Sequence, residues 1–231
     1  MAFRETLILF ARPPRPGRVK TRLAPALGAE GAAGLYRAFL LDAARLAGEV
    51  RAARPSVGLA AEWALEEEEG LEGLPLGEWL PGPFLHRAQS GSGLGPRMAA
   101  ALGRALAGGG AAVLLGSDFP DLPSRVPLRA LAGLAGPEAA PRAALGPAED
   151  GGYYLIGLNR PQGEIFADIP WGTAEVYTKT IMIMNRLNVK VEVMDQWRDV
   201  DSPEDLEALR QRLAGAPEAA APHTRAWLRG R

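Results

Sequence analysis

Cysteine is absent, which removes disulfides, thiolate nucleophiles and cysteine-ligated zinc together. Only two histidines occur, His86 and His223, and they lie far apart in sequence, which argues against a histidine-built metal site. No apolar run approaches the roughly 20 residues needed to span a bilayer. The apolar stretch at residues 6–10 is too short for a signal-peptide core. A cytoplasmic location with no membrane partner is the expectation. Net charge is only −1, so the whole molecule has no field that would gather nucleic acid. Any capacity to bind anions has to be local.

What is present is an ordinary globular composition, 47% hydrophobic and 23% charged, over 231 residues. A chain of that length can bury a large core without staples. Apolar runs at residues 6–10, 56–60, 111–115, 142–145, 153–158 and 189–193 read as strands. Helical periodicity covers residues 28–53, 94–107, 124–135, 173–187 and 202–213. Thr173 is the expected N-cap of the fourth helix, and Ser202-Pro-Glu-Asp205 reads as a capping box opening the fifth. Strand and helix alternate, which predicts a three-layer α/β/α domain on a mostly parallel sheet. One domain is expected over residues 1–213. Residues 214–231, rich in Ala and Pro, read as a C-terminal tail in which Trp227 could dock.

Three features carry chemistry. The first strand runs into Arg12, Arg15, Arg18, Lys20 and Arg22, five cations within eleven residues. Open α/β sheets bind ligands at the carboxyl ends of their strands, where this loop must lie. Guanidinium forks and a lysine point charge suit phosphate oxygens, although a solvated basic loop would look the same. The spacing fits neither a Walker A loop nor a dinucleotide fingerprint. The second feature is Val113-Leu-Leu-Gly-Ser-Asp118-Phe-Pro-Asp121, a buried strand ending in a carboxylate. Asp118 suits Mg²⁺ or Mn²⁺ through hard oxygen donors, with a turn or cap as the competing reading; for Asp121 the turn or cap is favoured. The third is Glu149-Asp150-Gly-Gly-Tyr153, two carboxylates before a glycine pair and a buried strand. Asp150 could complete a metal site or act as a base, or the segment could be a simple turn. The run of residues 66–69 reads as a solvated acidic face.

Taken together, Phe10-Ala-Arg-Pro-Pro-Arg-Pro-Gly-Arg-Val-Lys-Thr-Arg-Leu23, Leu115-Gly-Ser-Asp-Phe-Pro120, Gly146-Pro-Ala-Glu-Asp-Gly-Gly-Tyr-Tyr-Leu-Ile-Gly157 and Ile169-Pro-Trp-Gly-Thr173 resemble the bacterial DUF2064 family. That family is also described as a GT-A-type glycosyltransferase group, with members linked to arsenosugar biosynthesis. It is related to the MobA-like nucleotidyltransferases that make molybdopterin guanine dinucleotide and to phospholactate guanylyltransferases. The resemblance implies a GT-A, nucleotide-diphospho-sugar transferase fold. It implies Arg12, Arg15, Lys20 and Arg22 around phosphates, with Asp118 as the metal-binding aspartate and Asp150 as a second metal contact or catalytic base. It also implies that Asp199 and Asp201 lie near the site. Relatives often carry an aspartate where Gln89-Ser-Gly-Ser-Gly-Leu-Gly-Pro-Arg97 has Gly93; Arg97 remains a candidate anion contact or a solvated helix residue. The expected activity is metal-dependent glycosyl transfer from a nucleotide sugar to a small-molecule acceptor. The alternatives are nucleotidyl transfer releasing pyrophosphate, or a nucleotide-binding module without catalysis. Trp171 could stack on a base or sugar ring, with a buried structural role favoured. Homo-oligomer formation is left open.

Overall fold

The opening apolar run forms β1 (Glu5–Ala11), and alternate residues along it enter different cores. Leu7 and Leu9 pack in one buried cluster and Ile8 in another, because successive side chains of a strand point to opposite faces. A strand covered on both faces therefore lies mid-sheet, and in this computed structural model β1 is the third of seven strands. The structure describes residues 4–135 and 140–230; residues 1–3 and 136–139 of the expected domain and Arg231 of the expected tail lie outside them.

The other strands are β2 (Val57–Trp63), β3 (Phe84–Ala88), β4 (Ala111–Gly116), β5 (Arg142–Pro147), β6 (Tyr153–Leu158) and β7 (Lys190–Val193). Their order across the sheet is β3-β2-β1-β4-β6-β5-β7. All neighbours are parallel except at β6, which runs against both β4 and β5. Ile8 pairs with Leu114 and Leu114 with Ile156, so three apolar strands stack in register at the centre.

The helices are α1 (Ala24–Leu27), α2 (Ala29–Ala53), α3 (Leu76–Trp79), α4 (Leu94–Leu106), α5 (Arg125–Leu134), α6 (Val176–Arg186), α7 (Pro203–Ala214) and α8 (Pro222–Arg229). On one face of the sheet, α2, α5 and α7 contribute Leu35, Phe39, Leu131 and Leu209 to the larger core. On the other, α4 and α6 contribute Met98, Leu102 and Met184 to the second core. This is the expected three-layer α/β/α arrangement.

Local chemistry explains most boundaries. At α7 the Ser202 hydroxyl accepts the Asp205 N–H at 3.3 Å while Asp205 Oδ2 accepts the Ser202 N–H at 2.8 Å, which completes the capping box. The start of α6 differs from expectation. Thr173 does not cap it; its hydroxyl donates to the Pro170 carbonyl at 2.8 Å and closes the preceding turn, and the helix begins at Val176. Strand β3 carries no apolar run to betray it, since only Phe84 is buried along this sheet edge. The segment read as a tail holds α8, which packs on α2. Asp42 of α2 accepts the N–H groups of His223 and Thr224 at 3.0 and 2.9 Å and so caps α8 from a distance.

Candidate active site

The loop after β1 leaves the sheet at its carboxyl edge and turns tightly. Pro13 accepts the Arg15 N–H and Arg15 accepts the Arg18 N–H through backbone carbonyls. Lys20 itself sits at φ 48°, in the left-handed region. A non-glycine residue there costs of order 1 kcal/mol or more. The gain is visible at its tip: the buried Lys20 Nζ lies 2.5 Å from Asp118 Oδ1 and 2.8 Å from Asp201 Oδ1. It also lies over the rings of Tyr36 and Phe39, 5.8 and 5.7 Å from their centroids. Burial alone would drive the proton off this ammonium. The charges of Asp118 and Asp201 outweigh it and push the pKa up to about 12, so the lysine is a fixed cation.

Asp118 stands at the end of β4, and Asp201 just before α7. The two loops are tied together by the Val200 N–H, donated to the Asp118 carbonyl at 3.1 Å. Below them, Asp121 accepts from Arg212 of α7 at 2.8 Å and from the Trp197 indole at 3.2 Å. Asp121 is thus a structural anchor, in line with the turn-or-cap reading of the sequence. Glu149 donates its N–H to the Trp197 carbonyl at 3.0 Å, which fastens the β5–β6 turn to the same segment. In that turn Asp150 is exposed, and its Oδ1 accepts the Gly152 N–H at 2.8 Å.

A hydroxyl pair forms part of the floor. Tyr36 Oη lies 2.7 Å from Ser117 Oγ and accepts the Arg12 N–H at 3.1 Å. Burial, reinforced by the negative charge of Asp118, pushes the Tyr36 phenol up to about 12, so it remains neutral. Asp199 shows the acidic crowding of the site most directly. Burial first, then the nearby charges of Asp150 and Asp201, push its carboxyl up to about 6.

These groups share one cleft of about 850 Å³. Arg12, Arg18, Lys20, Arg22 and Arg97 line it, together with Asp118, Asp150, Asp199 and Asp201. Arg15 is the one cation of the opening loop that does not; its guanidinium turns away to pair with Glu69. Arg18 also reaches that acidic run, 3.6 Å from Glu66. Arg97 spends its Nε–H on the Gly91 carbonyl at 3.1 Å, holding the loop before α4. Tyr36, Ser117, Gln89 and Trp171 also line the cleft. Tyr36 carried no signal in the sequence, because a tyrosine at core spacing in a helix looks like any other packed aromatic. Among the described residues, no group of three or more His, Asp or Glu side chains is arranged to hold a metal by itself.

The seven-stranded, mostly parallel α/β sheet is that of the nucleotide-diphospho-sugar transferase fold, with the cleft's cations and carboxylates at its carboxyl edge. The chain belongs to the DUF2064 family, described as an uncharacterized protein conserved in bacteria, which matches residues 49–173. It is similar over its whole length to a crystal structure from Desulfovibrio desulfuricans G20, described as a candidate nucleotide-diphospho-sugar transferase. Identity is 34%, coverage is 100% of this chain and 95% of that one, and the TM-score is 0.86. More remote structures share the fold alone. One is the 4-diphosphocytidyl-2C-methyl-D-erythritol synthase of Anaerococcus prevotii DSM 20548, at 9% identity, 91% and 96% coverage and TM-score 0.55. Another is a nucleotidyl transferase of Methanothermobacter thermautotrophicus, at 14% identity, 91% and 98% coverage and TM-score 0.52. No curated protein matches the sequence significantly. Among the described residues, no helix is long and apolar enough to cross a membrane.

Proposed function

We propose that the cleft binds a nucleotide-diphosphate sugar and transfers its glycosyl group to a small-molecule acceptor. The observation that carries this reading is the meeting of five cations and four carboxylates along one sheet edge. Arg12, Arg18, Lys20 and Arg22 hold the two phosphates, guanidinium forks and ammonium matching their oxygens. Lys20 is already charged and immobilised, so it stabilises the leaving nucleoside diphosphate without reorganising. The acceptor hydroxyl oxygen bonds to the anomeric carbon as the carbon–oxygen bond to the diphosphate breaks. The bonding pair leaves with the nucleoside diphosphate, and Asp150 takes the hydroxyl proton.

The acidic side of the cleft suits a divalent cation. Its donors are hard carboxylate oxygens, and burial together with like-charge crowding raises Asp199; such an ion would relieve the crowding. Mg²⁺ is commonly held by one or two carboxylates plus substrate phosphates, so a self-sufficient protein cage is not required. Asp118, with substrate phosphate oxygens, would hold Mg²⁺ or Mn²⁺, which when bound would supply further neutralisation of the leaving diphosphate and leave Asp150 free to act as the base.

Incubation with a panel of nucleotide sugars and Mn²⁺ tests the reading. Release of nucleoside diphosphate, abolished in Asp118→Ala, is the expected result. An Asp118→Ala variant with unchanged metal-dependent nucleotide-sugar binding would overturn it. Nucleotidyl transfer is the second reading. It is motivated by the same opening loop, whose cleft-lining cations would suit a triphosphate as well as a diphosphate. Pyrophosphate release from a nucleoside triphosphate would select it.

A further inference from the structure

The cleft is chemically two-sided. The opening-loop cations mark one side, and an apolar wall made by Leu94, Met98, Tyr153 and Trp171 marks the other. Tyr153 and Trp171 meet edge to face with ring centroids 6.2 Å apart. The Tyr153 hydroxyl lies 4.0 Å from Met98 Sδ, and burial, only partly offset by a hydrogen bond with Thr180, holds that phenol strongly neutral. Leu94 opens α4 at the cleft and is 47% exposed.

This wall is held rigidly. The indole of Trp171 lies across the first turn of α4, where Gly95 has no side chain. A Cβ at Gly95 would come within 2.9 Å of indole Cζ2 and Nε1 and 3.0 Å of the Phe166 carbonyl. Only glycine lets the ring lie there. The Trp171 loop is also pinned to the Asp150 turn. Gly151 accepts the Tyr177 N–H at 2.8 Å, and its φ of 89° brings it so close to Ala174 that a Cβ would meet that carbonyl oxygen at 2.3 Å. The apolar wall and the Asp150 carboxylate therefore form one fixed unit.

Resting on the transferase reading above, we infer that this wall is the acceptor subsite and that the acceptor is a ring-bearing hydroxyl compound. Aromatic faces and edges bind the apolar faces of sugar and aromatic rings. Asp150 and Arg97 both border the wall, Arg97 on α4 between Leu94 and Met98 with its Nε–H held by the Gly91 carbonyl. A ring seated on Trp171 and Leu94 would present its hydroxyl on the side that carries Asp150.

Saturation-transfer NMR with p-nitrophenyl β-D-glucopyranoside and p-nitrophenyl β-D-galactopyranoside tests this, alongside calorimetric titration with GDP and UDP. Wild-type protein should transfer saturation to at least one glucoside ring, with Kd rising at least tenfold in Trp171→Ala. Leu94→Asp should do the same. That residue is exposed at a helix N-terminus, where a carboxylate suits the helix dipole, so this variant keeps its fold. Nucleotide affinity should change less than twofold in both. The inference falls if neither glycoside binds with or without nucleotide, if binding survives in Leu94→Asp, or if Trp171→Ala instead loses GDP or UDP. Failure of both nucleotides to bind wild-type protein while the glycosides still depend on Leu94 would sink the donor reading and leave the ring subsite standing.

Discussion

Lys20 and Asp118 come from loops that follow different strands, yet the ammonium of one lies 2.5 Å from the carboxylate of the other, with the lysine buried and the aspartate half-buried. That asymmetry decides what each can do. Lys20 is out of solvent, left-handed in its backbone and flanked by a second carboxylate from Asp201, so it cannot swing away. Asp118 keeps contact with the cleft and can meet an incoming ligand.

Replacing the cation should separate binding from folding. In Lys20→Met the apolar stem is kept and the two carboxylates, each over 40% exposed, can rehydrate. The stability loss should be about 1–3 kcal/mol, the scale of charge-assisted hydrogen bonds. Nucleotide affinity should fall by tenfold or more. Urea unfolding and calorimetric titration with GDP or UDP measure the two. Unchanged nucleotide affinity would remove Lys20 from the phosphate site.

The Tyr36 hydroxyl joins α2 to both cleft loops through Arg12 and Ser117. Tyr36→Phe should cost about 1–2 kcal/mol, because a buried hydroxyl and an N–H are left without their partner. Its urea midpoint should drop with no change in m. A wild-type midpoint would show that water replaces the phenol without penalty.

The capping box at α7 gives a pH dependence whose sign follows from Asp205. Its carboxyl is partly desolvated, which opposes ionisation, but hydrogen bonds from Ser202 and Arg198 prevail and hold it at about 2. In the unfolded chain an aspartate titrates near about 3.9. A group with a depressed folded pKa adds stability above the unfolded value and loses it as pH falls through the folded one. Wild-type stability should therefore decline between about pH 4 and pH 2 with a component that Asp205→Asn lacks. At pH 7 that variant should be less stable by about 1 kcal/mol, as for a lost cap. Parallel acid limbs in the two proteins would contradict this assignment.

Gly95→Ala sets two effects against each other. Alanine favours a helix by about 1 kcal/mol over glycine. Here its Cβ would strike the Trp171 indole and the Phe166 carbonyl. Overpacking of this kind typically costs about 1–3 kcal/mol, so the variant should melt at lower temperature than wild type. A higher melting temperature would mean that the indole moves aside at no cost.

Much of this architecture was readable from the amino acids. The run at residues 6–10, the helix over most of α2 and the Ser202–Asp205 cap each carried a local signal strong enough to survive folding. Strand β3 did not, because its pattern is that of an exposed edge with one buried residue. The cationic loop and the carboxylates at 118 and 150 were visible as charges beside buried strands. Which cations turn inward was not. Arg15 and Arg18 look equivalent in sequence, and only the position of Glu69 across the loop draws Arg15 out of the cleft. Tyr36 escaped for a related reason: an aromatic residue's periodicity reports that it packs, and does not report that its far edge borders the cleft, whereas Trp171 was legible as a ring contact with a buried role favoured and is found half-buried in the cleft lining.

Helix α2 shows Tyr36 to the cleft and Asp42, roughly 9 Å further along its axis, to the closing helix. Helix α8 is therefore braced by the same rod that lines the cleft. A change that prises α8 loose from Asp42 would be transmitted along α2 to the Tyr36 side of the cleft.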